Sequence, residues 1–209
     1  MIKYLIYDFD GVICDSVNIK TEAFLELYKN ENNHIKTQIK NYHLDNGGVS
    51  RFKKIKYFET IILKKKYSKS KNKVLTDYFG ELVKEKVTNS EYINGALEFL
   101  KKKINYSKQF ICTGTPELEI KEILKNREID YLFDEVYGSP KTKTEIINKI
   151  IKDNCIKNSD CVFFGDTMTD YNASVKTGVP FVGIMNKNTI FPKGTILIND
   201  FYDNKLNSL

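Results

Sequence analysis

Two aspartates just after a short apolar run, in Tyr7-Asp8-Phe9-Asp10-Gly11-Val12-Ile13, constrain this chain more than any other feature. The preceding Ile2-Lys3-Tyr4-Leu5-Ile6-Tyr7 is rich in β-branched and aromatic residues and reads as a buried strand. Asp8 and Asp10 then fall at its C-terminal end, the edge where open parallel α/β sheets bind ligands. Two apart on a regular strand, they project from the same side, and Gly11 lets the chain bend sharply after them. Carboxylates so close repel unless a cation or a shared proton lies between them. The pair therefore asks for a metal, although an acidic turn after a strand accounts for the same residues.

From Tyr92 onward strands and helices alternate. Strands are expected at Lys108 to Thr113, Phe133 to Tyr137, Cys161 to Phe164, Phe181 to Ile184 and Ile196 to Ile198. Helices are expected at Gly95 to Lys103, at Pro116 to Asn126 with Pro116 in the first turn, at Thr142 to Asp153, and after Asp166 to Lys176. Strand–helix succession implies a parallel sheet with helices on both faces, so the fold class is α/β with a Rossmann-like three-layer core. The stretch between the first two strands has only helical patterns, near Ser16 to Lys29, Ile39 to Leu44, Arg51 to Leu63 and Leu75 to Val87. We therefore expect residues 1–15 and 93–209 to form the α/β core and 16–92 a small all-helical cap.

Charge is unevenly spread. The formal net charge is +6, yet the insert carries 16 Lys/Arg against 9 Asp/Glu and the remainder 17 against 18. A basic insert suits an anionic substrate, while Lys64-Lys65-Lys66 with Lys69, Lys71 and Lys73 reads better as a solvated surface. No basic stripe is interleaved with aromatics, so no nucleic acid is expected as a partner. The apolar start reaches Asp8 too soon for a secretory signal, and no apolar run approaches the ~20 residues of a membrane span. A cytoplasmic protein with no membrane partner is the expectation. Cys14, Cys112, Cys155 and Cys161 have no metal-ligand spacing and are expected to be reduced, buried and structural.

Polar groups recur at the expected strand ends. Thr113-Gly114-Thr115 offers hydroxyls and N–H groups before a helix, a cradle for phosphate oxygens. Gly138-Ser139-Pro140-Lys141-Thr142-Lys143 brings two lysines to a helix start, and Gly165-Asp166-Thr167-Met168-Thr169-Asp170 two more acids. In the insert, Asn46-Gly47-Gly48-Val49-Ser50-Arg51-Phe52-Lys53-Lys54 combines a tight turn, a capping serine and cationic side chains, which suits an anion or serves as a helix connection.

In this order, these segments resemble the motifs of the haloacid dehalogenase superfamily of magnesium-dependent phosphotransferases, specifically its phosphoglycolate phosphatase and β-phosphoglucomutase-like branch. The first motif is Asp8 to Val12, the second Phe110 to Thr113 and the fourth Gly165 to Asp170; the third is a lysine, Lys143 or Lys141, with Lys143 the closer match. The resemblance implies that Asp8 attacks phosphorus to give an aspartyl-phosphate while Asp10 acts as general acid and then base. It implies Mg2+ held by Asp8, Asp166, the Asp10 backbone carbonyl and Asp170. Thr113, the N–H groups near Phe9 and Gly114, and the lysine would hold phosphate oxygens.

The resemblance also makes the insert a closing cap. Its loop Gly48-Val49-Ser50-Arg51 would meet the substrate, with Arg51 the specificity residue and Ser50 beside it. The mutases have a histidine where this chain has Lys20, so hydrolysis of a small phosphorylated metabolite, from a sugar pathway or cell-surface carbohydrate, is expected ahead of mutase chemistry or a non-catalytic phosphate-binding role. Monomer and homodimer remain equally open.

Overall fold

The computed structural model describes residues 2–208, the side chains of 207 and 208 excepted. Among these, six strands make one wholly parallel sheet: β1 (Tyr4–Tyr7), β2 (Lys108–Pro116), β3 (Glu135–Ser139), β4 (Cys161–Gly165), β5 (Phe181–Ile184) and β6 (Ile196–Ile198). Their spatial order is β3-β2-β1-β4-β5-β6. The chain thus builds outward on one side of β1, then crosses back to build on the other. Ligands bind at such a reversal, beyond the C-terminal strand ends.

Alternation along the strands sorts the core into two faces. Leu5, Tyr7, Ile111, Val162 and Phe164 face one way, packing with Phe99 and Leu100 of α5 (Ala96–Lys103) and Ile120 and Ile123 of α6 (Glu117–Asn126). Ile6, Phe110, Cys112 and Phe163 face the other, against Ile146, Ile147 and Ile150 of α7 (Lys143–Asp153) and Ala173 of α8 (Met168–Thr177). Tyr7, fully buried, donates its hydroxyl to Gln109 at 2.9 Å, so the polar atom is paired.

The insert is helical throughout: α1 (Val17–Leu27), α2 (Asn33–Asp45), α3 (Arg51–Tyr57), a π-helical turn Phe58–Ile62, and α4 (Lys69–Thr88). Phe24, Phe58 and Phe79 form its centre, with Phe24 and Phe79 ring centroids 4.2 Å apart and Phe24 edge-on to Phe58 at 5.3 Å. Its two ends leave the core side by side. Asp15 N–H donates to the Glu91 carbonyl and Ile93 N–H to the Ile13 carbonyl, each at 2.9 Å, with Cys14 and Tyr92 paired antiparallel between them.

Several boundaries differ from expectation. α2 begins earlier because Asn32 caps it, accepting from Ile35 N–H at 3.0 Å. α4 begins at Lys69 behind a Ser68 cap, so Lys69, Lys71 and Lys73 are helical, and they and Lys64-Lys65-Lys66 are exposed. Pro116 ends β2 with an extended ψ of 137° and precedes α6 rather than opening its first turn. Ser50 stands at the N-cap of α3, yet its hydroxyl makes no cap bond. Cys155 corrects the cysteine reading: the other three are buried, whereas Cys155 is exposed in a positive-φ turn, and all four are free. No helix among the described residues is long and apolar enough to cross a membrane.

Candidate active site

β1 ends at Tyr7, one residue before the first acid, and the following turn aims Asp8 and Asp10 at different partners. This corrects the expectation that both acids project from one regular strand, although Asp10 still adds to the repulsion on Asp8. Asp8, 2% exposed, accepts from Lys143 Nζ at 2.5 Å through Oδ2 and from Phe9 N–H at 2.7 Å through Oδ1. Asp10 turns away, accepting from Ser16 Oγ at 2.6 Å, from Thr115 Oγ1 at 3.2 Å and from the Lys20 ammonium. Lys20 also donates to Thr115 Oγ1 at 2.8 Å, closing a ring of three groups around Asp10.

The acids that crowd are Asp8, Asp166 and Asp170, whose ligand oxygens lie within 4.8 Å of one another. β4 delivers Asp166 and the first turn of α8 delivers Asp170, next to β1 in the sheet. Asp170 is fully buried and doubly engaged: Oδ2 accepts from Thr167 N–H at 3.1 Å and Thr167 Oγ1 at 2.6 Å, while Oδ1 accepts from Lys143. Asp166 Oδ1 is buried with no hydrogen-bond partner. Three carboxylates around one ammonium, with an oxygen lone pair left over, fit a small divalent cation. The Asp10 carboxylate is outside this group.

Charge and burial work against each other here. Burial pushes the Asp8 carboxyl up to about 6, against the pull of Lys143 and aided by Asp170 and Asp10. Asp166 is pushed well above the ordinary range by burial, then by Asp170 and Asp8. Burial also acts to raise Asp10, but Lys20, Ser16 and Thr115 hold it below its ordinary value. Burial alone would lower the Lys143 ammonium, yet Asp170 and Asp8 together hold it above.

Lys143 opens α7, where the Thr142–Glu145 capping box fixes the first turn: Glu145 accepts from Thr142 N–H at 2.7 Å and Thr142 Oγ1 from Glu145 N–H at 3.3 Å. Lys141, the other candidate, is exposed, its ammonium 5.8 Å from the Tyr137 ring centre. Thr113, expected to close the strand, is buried in β2 three residues before its end and accepts from Thr115 N–H at 3.2 Å. Gly11 adopts φ +77°, and a Cβ there would lie 2.3 Å from Asp166 Oδ2.

The insert closes over this floor. A Cβ on Gly114 would stand 2.5 Å from the Gly48 carbonyl oxygen, so the loop before α3 lies directly on the end of β2. The resulting cavity holds about 580 Å³ and is lined by Asp8, Asp10, Asp166 and Gly114 from the core and Lys20, Arg51 and Lys54 from the insert. Arg51 lines it while its guanidinium pairs with Glu119 of α6 and stacks 4.8 Å from the Phe79 ring centre. Ser50 is not among the lining residues.

The sequence reading missed several participants, among them Ser16 beside Asp10 and Thr167 beside Asp170. Thr115 was visible beside Thr113. Asn186, which donates to the Asp166 carbonyl at 2.6 Å, is a polar residue two past the end of β5 and could have been found there. Nothing in the spacing marks Glu119 or the buried His43 as parts of the site.

A family model described as haloacid dehalogenase-like hydrolase matches residues 5–184. The chain belongs to this family. No curated protein matches the hydrolase. Among solved structures, it resembles a β-phosphoglucomutase from Clostridium difficile (TM-score 0.80, 18% identity, covering 100% of this chain and 96% of that one). It also resembles a predicted phosphoglycolate phosphatase from Haemophilus somnus (0.78, 18%, 99% and 98%) and a predicted phosphatase from Clostridium acetobutylicum (0.77, 18%, 100% and 100%). At these identities the likeness is one of fold. It extends over the whole hydrolase, insert included.

Proposed function

We propose that this hydrolase removes phosphate from a small phosphate monoester through an aspartyl-phosphate on Asp8, with Mg2+ as its metal. The observation that carries this is the buried Asp8 carboxylate between Lys143 and the Asp166–Asp170 pair, under a closed insert. Asp8 attacks phosphorus and the ester oxygen leaves. Asp10, held ionised in the free site by Lys20, Ser16 and Thr115, takes up a proton as the ester binds, passes it to that oxygen and then takes one from the water that cleaves the acyl phosphate. Lys143, Thr113 and the N–H groups near Phe9 and Gly114 steady the transferring oxygens. Asp8, Asp166 and the Asp10 carbonyl would hold Mg2+, with Asp170 directly or through a water; the metal offsets repulsion between Asp8 and the phosphate.

Residues 16–92 act as the cap that excludes water and selects the ester, for which a phosphorylated sugar or related carbohydrate intermediate fits a cavity of about 580 Å³. A phosphomutase shares every group named so far. It requires Asp8 to return the phosphoryl group to a second hydroxyl, activated by Asp10, without admitting water, and Lys20, paired with Asp10, stands where the resemblance puts a histidine in the mutases.

The test is phosphate release from a panel of small esters, with Mg2+ and with chelator, using wild-type protein beside Asp8→Asn. Magnesium-dependent release abolished in the variant is expected. Isomerised product without free phosphate would favour the mutase; retention of release by Asp8→Asn would sink both.

A further inference from the structure

Lys54 is a buried cation facing the same cavity with no acid beside it. It is 3% exposed on α3, and its Nζ lies 2.8 Å from His43 Nδ1 and 3.2 Å from the His43 carbonyl oxygen. The other insert cations lining the cavity are matched: Lys20 by Asp10, Arg51 by Glu119. Among the described residues Lys54 has no ion-pair partner, and an ammonium carries three protons of which His43 accepts two. A buried charge without a partner costs several kcal/mol, which selection of a stable core alone would remove.

The surroundings sharpen the point. Lys20 on α1 and Lys143 across the cavity repel Lys54, while Asp10 and Asp166 attract it, and Arg51 sits one turn earlier on the same helix. Burial and then Lys20 outweigh the acids and pull Lys54 down to about 7. His43, packed on Phe24 at 4.9 Å, is kept neutral by burial and by Lys54 down to about 2, so the ring stays an acceptor that aims the ammonium.

We propose that Lys54, aimed by His43, is the subsite for a second anionic group of the substrate, so that the ester cleaved at Asp8 carries a carboxylate or second phosphate at its far end. This rests on the phosphate-ester reading and narrows it: neutral polyol phosphates would leave the Lys54 charge unanswered. It also separates two cations of one helix, Arg51 joining insert to core and Lys54 meeting ligand.

Calorimetric binding of 3-phosphonopropionate and ethylphosphonate in Mg2+ at pH 7 tests the assignment, since the two differ in the distal carboxylate and neither can be hydrolysed. Wild-type protein is expected to bind the carboxylated ligand about tenfold tighter or more, and Lys54→Met to bring the ratio within about threefold. The wild-type ratio itself is expected to shrink from pH 6 to pH 9 as the ammonium loses its proton, a readout that does not depend on the variant's folding. Equal affinities in wild-type protein, binding of neither ligand, or parallel losses of both in the variant overturn the proposal. Because no turnover is needed, a failure to release phosphate from any ester would count against the hydrolase reading alone.

Discussion

Asp8 combines burial, one ammonium contact and two acidic neighbours, and each has a separate consequence. Asp8→Asn removes a charge that burial disfavours, so the variant is expected to unfold no earlier than wild type while turnover falls roughly 10³-fold or more. Thermal melts beside single-turnover assays read both. Lys143→Met leaves Asp8 and Asp170 facing each other without their cation, and a loss of both rate and stability is expected. Lys141→Ala, at an exposed site, should leave both near wild type. If Lys141→Ala instead removed most of the rate, Lys143 would be a structural cation. The motif made both lysines candidates from sequence, but only a fixed helix start distinguishes them, and that depends on the Thr142–Glu145 box.

Between elements, insert and core meet where α4 packs on α6 and Arg51 of α3 reaches Glu119 of α6. Arg51 is 5% and Glu119 16% exposed at the side chain, so breaking the pair strands a charge in a largely dry place. Arg51→Ala is expected to lower stability by about 2 kcal/mol or more, and a double-mutant cycle with Glu119→Gln should recover part of that loss, because both charges are then gone. A cycle with no coupling would mean that insert and core are held here by the packing of α4 on α6 rather than by the ion pair. The helical character of the insert and the succession of strands and helices along the core were legible in hydrophobic period and turn chemistry, whereas the spatial order β3-β2-β1-β4-β5-β6 was not. The pairings across the insert were not, because Arg51 and Glu119 are 68 residues apart and no local pattern links them. Asp10's partners were hidden for a related reason: the strand stops at Tyr7, and alternation says nothing about a side chain in a turn.

At the scale of the whole molecule, the three-carboxylate cluster and the lone cation act oppositely. Mg2+ held by Asp8 and Asp166, as proposed, would relieve repulsion only in the folded chain. Adding metal at about 100 times its Kd should therefore raise unfolding free energy by about 2.7 kcal/mol, and chelator should reverse it. An unchanged melting temperature would argue against a metal there. Lys54 gives a pH dependence of definite sign. Its folded pKa of about 7 lies below the ordinary lysine value of 10.5, so the unfolded chain binds more protons between those limits. Stability contributed by this group therefore rises with pH from about 7 toward 10, and Lys54→Met should flatten that slope in urea titrations.

The paired exit and return of the insert, Asp15 against Glu91 and Ile93 against Ile13, give the chain one narrow doorway between two architectures. Whatever enters there must leave within a hydrogen bond of where it began. A different segment with the same end-to-end spacing could be spliced in by recombination while β1 and β2 kept their register. The floor that handles phosphate and the roof that recognises the rest of the molecule can therefore change at independent rates. New substrates become reachable by exchanging a single internal stretch of gene, provided the new stretch keeps Ser16 and Lys20 on Asp10.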